Sequence, residues 1–161
     1  MSKWQWTQLL GFEGFWLLAV AGQNQWVLLT ALLLVLHFVF TPSRRADIGV
    51  LWLALAGMTI DLMLTVTGVF FFDHWPLWLG VLWIGFVLTL GHSLRWMRRL
   101  PAWLLMMVGA LAGTTSYLTG WQLGAVTLPL GLWPSVLVLA SLWSALLPIL
   151  VRLDQHLRSE A

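Results

Sequence analysis

"IGVLWLALAGMTIDLMLTVTGVFFF", residues 48–72, contains one ionisable side chain, Asp61. A helix rises about 1.5 Å per residue, so about 20 apolar residues span the hydrocarbon core of a bilayer. This run is long enough to do so and too apolar for the surface of a water-soluble domain. The aspartate then needs a reason, because a charged carboxylate at the centre of a spanning helix costs about 2.5–3.5 kcal/mol on insertion scales.

The rest of the chain has the same character. Of its 161 residues 60% are hydrophobic and 9% charged, and the mean hydropathy is +0.88. A soluble domain typically carries about 25% charged residues. Working outward from residues 48–72, apolar spans are expected at 5–22, 26–41, 48–72, 76–97, 101–120 and 134–152. The breakers "GQNQ" at 22–25, "TPSRRAD" at 41–47, "FDHWP" at 72–76, "RRLP" at 98–101 and the Gly/Pro-rich 120–134 separate them. The expected fold is all-α: a single transmembrane domain over 1–161, a polytopic integral membrane bundle of about six helices. The first span has only Lys3 before it, is interrupted by Glu13 and lacks a small-x-small cleavage site, so it reads as a retained helix rather than a signal peptide. Residues 120–134 read as a loop or a re-entrant segment.

Charge decides orientation. Arg44, Arg45, Arg95, Arg98, Arg99, Arg152 and Arg158 fall in the second loop, the fourth loop and the tail, with Lys3 on the same side of an even-numbered topology. The positive-inside rule places both termini in the cytoplasm. The net charge of +2 comes from these flanking arginines, which argues against nucleic acid as a partner. Trp4, Trp26, Trp75, Trp78, Trp96, Trp103, Trp121 and Trp133 stand near expected helix ends, as an interfacial belt would place them. With no cysteine, disulfides and thiolate metal sites are excluded.

Small and weakly polar residues recur at helical spacing. Gly57, Asp61, Thr65 and Gly68 form one stripe; Gly85, Thr89, His92 and Trp96 another; Gly109 and Gly113 a GxxxG pair continued by Ser116, Tyr117 and Gly120; Ser141, Ser144 and Pro148 mark the last span. Gly57, Gly68, Gly109, Gly113, Ser141 and Ser144 are the expected helix-packing positions. Counting from the cytoplasmic ends at about 1.5 Å per residue, Asp61 and Thr114–Ser116 lie at roughly 20 Å, Glu13 and Ser144 at roughly 12 Å, His92 at roughly 8 Å and His37 at roughly 6 Å. Two polar layers follow, an outer one around Asp61 and an inner one around Glu13, Ser144 and His92, while His37 reads as interfacial. Candidate ligand-binding residues are Asp61, Thr65, Thr115, Ser116, Tyr117, Glu13 and His92. The alternative for Asp61 is a hydrogen-bonded clasp between the third and fifth spans. No HExxH, GxSxG or phosphate-loop signature occurs, no close His/Asp cluster suggests a metal site, and no cofactor is implied.

"FEGFWLLAVAG" at 12–22, "IDLML" around Asp61, "GHSLRW" at 91–96 and "GTTSYLTGWQLGA" at 113–125, in that order, resemble the bacterial membrane proteins grouped as domain-of-unknown-function family 2878. In that pattern a glutamine stands where this sequence has Glu13, and an asparagine often stands at Gly91. The resemblance implies a multi-pass inner-membrane protein with no assigned reaction, in a family whose members occur beside enzymes that modify fatty acyl chains.

Three functions are compatible with these residues. The first is binding or movement of a lipid-like amphiphile through the polar layer around Asp61. The second is a non-catalytic accessory subunit or scaffold of a membrane lipid-modifying complex, packing against a membrane enzyme through its glycine stripes, with a membrane protein partner or a homo-oligomer as the expected association. The third is a membrane-embedded enzyme using Glu13 and His92 as proton carriers. The first is favoured over the second, and the enzyme comes last.

Overall fold

The computed structural model describes residues 3–160, and its regular elements are helical. They are α1 (Lys3–Gly22), α2 (Val27–Phe40), α3 (Arg44–Gly49), α4 (Leu51–Val66), α5 (Leu77–Gly91), α6 (Ala102–Val108), α7 (Thr114–Gln122) and α8 (Leu132–Ser159). A π-helical turn, Gly109–Gly113, joins α6 to α7 without a break. Four helical stretches are long and apolar enough to cross a membrane, namely Lys3–Phe40, Arg44–Val66, Ala102–Gln122 and Leu132–Ser159, while α5 is a shorter apolar helix.

The first stretch is doubled back on itself. Gln23 takes a φ of 46° in the 3-10 turn Gln23–Trp26, and Trp4 near the start of α1 returns to within 5.7 Å of His37 near the end of α2, ring centroid to ring centroid. At the turn end, Asn24 donates to the Trp75 carbonyl at 2.8 Å and accepts from the Trp78 amide, and Phe71 pairs with Thr127 in an isolated antiparallel bridge. The opposite end gathers the basic segments around α3, the turn Arg95–Arg99 and the last turns of α8.

Several expected boundaries move. The third span stops at Val66 rather than at residue 72, because Gly68 turns the chain with a φ of 78°. Nothing lies within 4 Å of where a Cβ on Gly68 would be, so it is a turn glycine and not a packing one. The same span begins earlier, as α3, and is interrupted at Val50. The fourth ends at Gly91 because His92 leaves helical geometry (φ −118°, ψ −95°). The last runs to Ser159, its final turns tied by the Asp154–Arg158 pair four residues apart. After α7, Ala125 and Val126 are buried beside the bridge to Phe71.

Packing explains the other glycines. Trp83 on α5 and Trp143 on α8 stack with their planes 3° apart at 5.7 Å. A Cβ on Gly57 would collide with the Trp83 ring, and one on Gly113 with Trp143; one on Gly109 would strike the Trp143 carbonyl. The absent side chains therefore let two large rings enter the centre of the bundle, as close helix approach requires. Ser141 does not share this role: it is exposed, and Ser144 donates to the Ser141 carbonyl within its own helix.

Candidate functional site

Two polar centres and one large cavity stand out. The first centre is Asp61, buried in the middle of α4. Tyr117 on α7 donates its hydroxyl to Oδ1 at 2.6 Å, and Trp83 on α5 donates its indole N–H to Oδ2. The side chain thus joins three helices through neutral donors. The expected meeting with the fifth span is present, through Tyr117, while Trp83 was not anticipated because a tryptophan within an apolar run carries no sequence mark of polarity. Thr65 donates to the Asp61 backbone carbonyl, one turn back in its own helix.

Beside this centre lies a cavity of about 640 Å³, within the roughly 300–1,000 Å³ typical of small-molecule sites. Phe12, Glu13 and Trp16 of α1 form one wall and Trp83 and Phe86 of α5 another. The π-turn and α7 supply Gly113, Thr115, Ser116 and Tyr117, and Trp143 closes the back. Its length carries it from Leu94 and Met97, near the basic end, to Phe72 and Val126 near the other. Trp16 donates to Ser116 Oγ at 3.0 Å, linking α1 to α7 at this site. Thr115 is spoken for, donating to the Leu111 carbonyl. A second cavity of about 430 Å³ lies on the other side, lined by Thr59, Asp61, Thr65 and His74 among apolar residues. Tyr117 and Trp83 face the first cavity and hold the Asp61 that faces the second, so the hydrogen-bonded trio is a partition between them.

The second polar centre lies at the basic end. Asp47 of α3 is fully buried. Its Oδ1 accepts from Arg158 Nη1 at 2.7 Å and from His92 Nε2 at 3.0 Å; its Oδ2 accepts from Thr41 and lies 3.4 Å from His37 Nε2. Arg158 also donates through Nε to Asp154 at 2.7 Å, and Arg98 donates to Asp154 at 2.6 Å. Two carboxylates and two guanidiniums thereby balance in one cluster that ties α3, α8 and the 95–99 turn. A Cβ on Gly91 would overlap the Arg158 guanidinium, so that glycine is what admits it.

His37, Asp47 and His92 correct the expectation that no His/Asp cluster exists, since their ligating atoms lie within 4.8 Å of one another. Their hydrogen bonds do not suit a cation. An indole N–H only donates, and Trp4 Nε1 sits 3.0 Å from His92 Nδ1. Nδ1 therefore accepts, and the ring proton is on Nε2, the atom turned to Asp47. A metal there would have to displace that proton and sit beside the Arg158 guanidinium. The trio is an ion and hydrogen-bond cluster. His37 is part of it rather than simply interfacial, and two members of the expected aromatic belt are engaged inside, Trp4 on His92 and Trp78 in the core.

Of the candidate residues, Glu13, Thr115, Ser116 and Tyr117 meet at the first cavity, Asp61 and Thr65 lie behind its partition, and His92 belongs to the Asp47 cluster. Glu13 and His92 are not brought together: His92 is buried among Trp4, Gln5 and Asp47, while Glu13 is exposed midway along α1. Asp47, Asp154 and Arg158 were missed as site residues. Their one sequence signal is acids set among the arginines of the positive ends, with Asp154 four residues before Arg158.

Long apolar helices, a glycine-seated tryptophan core and charge gathered at one end are the features of a membrane helical bundle. The chain belongs to the family described as protein of unknown function (DUF2878), whose model matches residues 5–149. No curated protein and no solved structure matches it.

Proposed function

We propose that this is a multi-pass protein of the bacterial cytoplasmic membrane, with six helices crossing and both termini on the cytoplasmic side, that binds a lipid-like amphiphile. The doubling back of Lys3–Phe40 and the apolar α5 support reading the four long stretches as six crossings. All of the arginines then share one face, as the positive-inside rule asks. The observation that carries the binding reading is the 640 Å³ cavity, whose walls are mostly aromatic and aliphatic with a few hydroxyls and one carboxyl group. A slot of that shape accepts an acyl chain or a comparably slender apolar body. Asp61 supports it from behind, fixing Tyr117 and Trp83 in its wall.

Native mass spectrometry of the protein released from its own membrane in mild detergent tests this. A defined small molecule should accompany the wild type and be lost from Ala112→Phe, which fills the slot from the π-turn. The absence of any bound molecule, or equal retention by the filled variant, would sink the proposal. A stoichiometric protein partner with no small molecule would replace it by the reading of a non-catalytic subunit.

A further inference from the structure

Glu13 gives the ligand a chemical class. It stands midway along α1, exposed, at the wall of the slot. It has no hydrogen-bond or ion-pair partner among the described residues, whereas Asp47, Asp61 and Asp154 are all satisfied. Neither arginine, lysine nor histidine lines the slot, so nothing there compensates an anionic headgroup. Trp16 lies three residues on, over the same face of α1, and its indole holds Ser116 across the slot at 3.0 Å. Glu13 and Ser116 therefore mark one polar band, since the other hydroxyls in the lining, Thr115, Tyr117 and Thr119, donate to oxygens of the protein itself.

An ionised carboxylate only accepts hydrogen bonds, and a protonated one keeps a carbonyl acceptor. The ionised form is the one whose missing partner is a donor alone, because a protonated carboxyl also carries an O–H that an anionic head could accept. Resting on the binding reading above, we infer that the slot selects amphiphiles whose polar end donates hydrogen bonds, a long-chain alcohol or amine, and rejects those ending in carboxylate or phosphate. The apolar body lies along Phe86 and Trp143 while the donor head meets Glu13, with Ser116 as its second contact. Against the ionised carboxylate, an acidic head at the same place would set two like charges together in a medium that screens them poorly.

The test uses the full chain in lipid nanodiscs with chain-brominated hexadecanol, hexadecylamine and hexadecanoic acid, reading quenching of tryptophan fluorescence, since Trp16, Trp83 and Trp143 line the slot. The alcohol and amine should quench at mole fractions about tenfold below the acid, the scale of a hydrogen bond to a charged group. That preference should vanish in Glu13→Leu, and for the alcohol persist in Glu13→Gln, which keeps a carbonyl acceptor. Equal quenching by the acid, or an unchanged preference in Glu13→Leu, overturns the headgroup assignment and leaves the binding reading intact. If no probe quenches the wild type more than Ala112→Phe, the binding reading itself falls, and this inference with it.

Discussion

Asp47 and Asp61 lie 14 residues apart on α3 and α4, and their exposures are nearly the same, 0% and 4%. Their surroundings differ in kind. Asp47, at the basic end, is met by a guanidinium, two imidazoles and two hydroxyls. Asp61, deep in the bundle, is met by an indole and a phenol, neither carrying charge. Near the headgroups an arginine can reach inward from the interface and pair with an acid at modest cost. At mid-span a second charge would have to be buried as well, so the acid is satisfied by dipoles from aromatic side chains that the apolar core accepts. The same residue type is thus an electrostatic hub in one place and a hydrogen-bonded clasp in the other.

The largest expected effect is at Asp47. Asp47→Ala or Asp47→Asn leaves Arg158 buried with only Asp154, already shared with Arg98, and should cost about 3–5 kcal/mol in denaturant unfolding in detergent, the usual penalty for breaking a buried pair. If Asp47→Asn melts like the wild type, the cluster is not an ionic hub and the contrast with Asp61 disappears. Next is Gly113→Leu, which drives a side chain into Trp143 and should cost about 1–3 kcal/mol by overpacking. Should it prove milder than Asp61→Leu, the middle of the bundle is held by its polar clasp rather than by the stacked tryptophans.

Asp61→Leu strands the Tyr117 hydroxyl and the Trp83 indole, and at the value of hydrogen bonds within membranes it should cost about 1–2 kcal/mol. Asp61→Asn keeps an acceptor for one of them and should fall below that, so the Asn variants at 47 and 61 separate charge from hydrogen bonding directly. The smallest signal is the coupling between the two sites. They share no partner and are about 20 Å apart along the helix axis. The double variant Asp47→Asn/Asp61→Asn, followed by the same unfolding assay, should therefore equal the sum of the singles within about 0.5 kcal/mol. Marked non-additivity would mean that the partition and the ionic end respond as one unit.

Hydropathy and the arginine pattern made the helical membrane character legible in the sequence, because the cost of leaving a backbone or a charge in hydrocarbon acts on each segment alone. Gly57, Gly109 and Gly113 were readable as packing positions for the same local reason, and the depth count put Asp61 level with the turn that carries Tyr117. The same marks misled at Gly68, where a helical stripe ends in a turn, and at Ser141, whose hydroxyl neighbour bonds within its own helix. Partners set by long-range approach were out of reach. That Trp83 caps Asp61, that Trp4 fixes the tautomer of His92, and that Arg158 crosses to Asp47 beneath Gly91 depend on how the apolar helices rotate about their axes, and an apolar stretch records its depth but only faintly its facing. The sequence by itself determined what this chain is made to dissolve in; the tertiary structure alone decided which few polar atoms meet there and where a cavity is left between them.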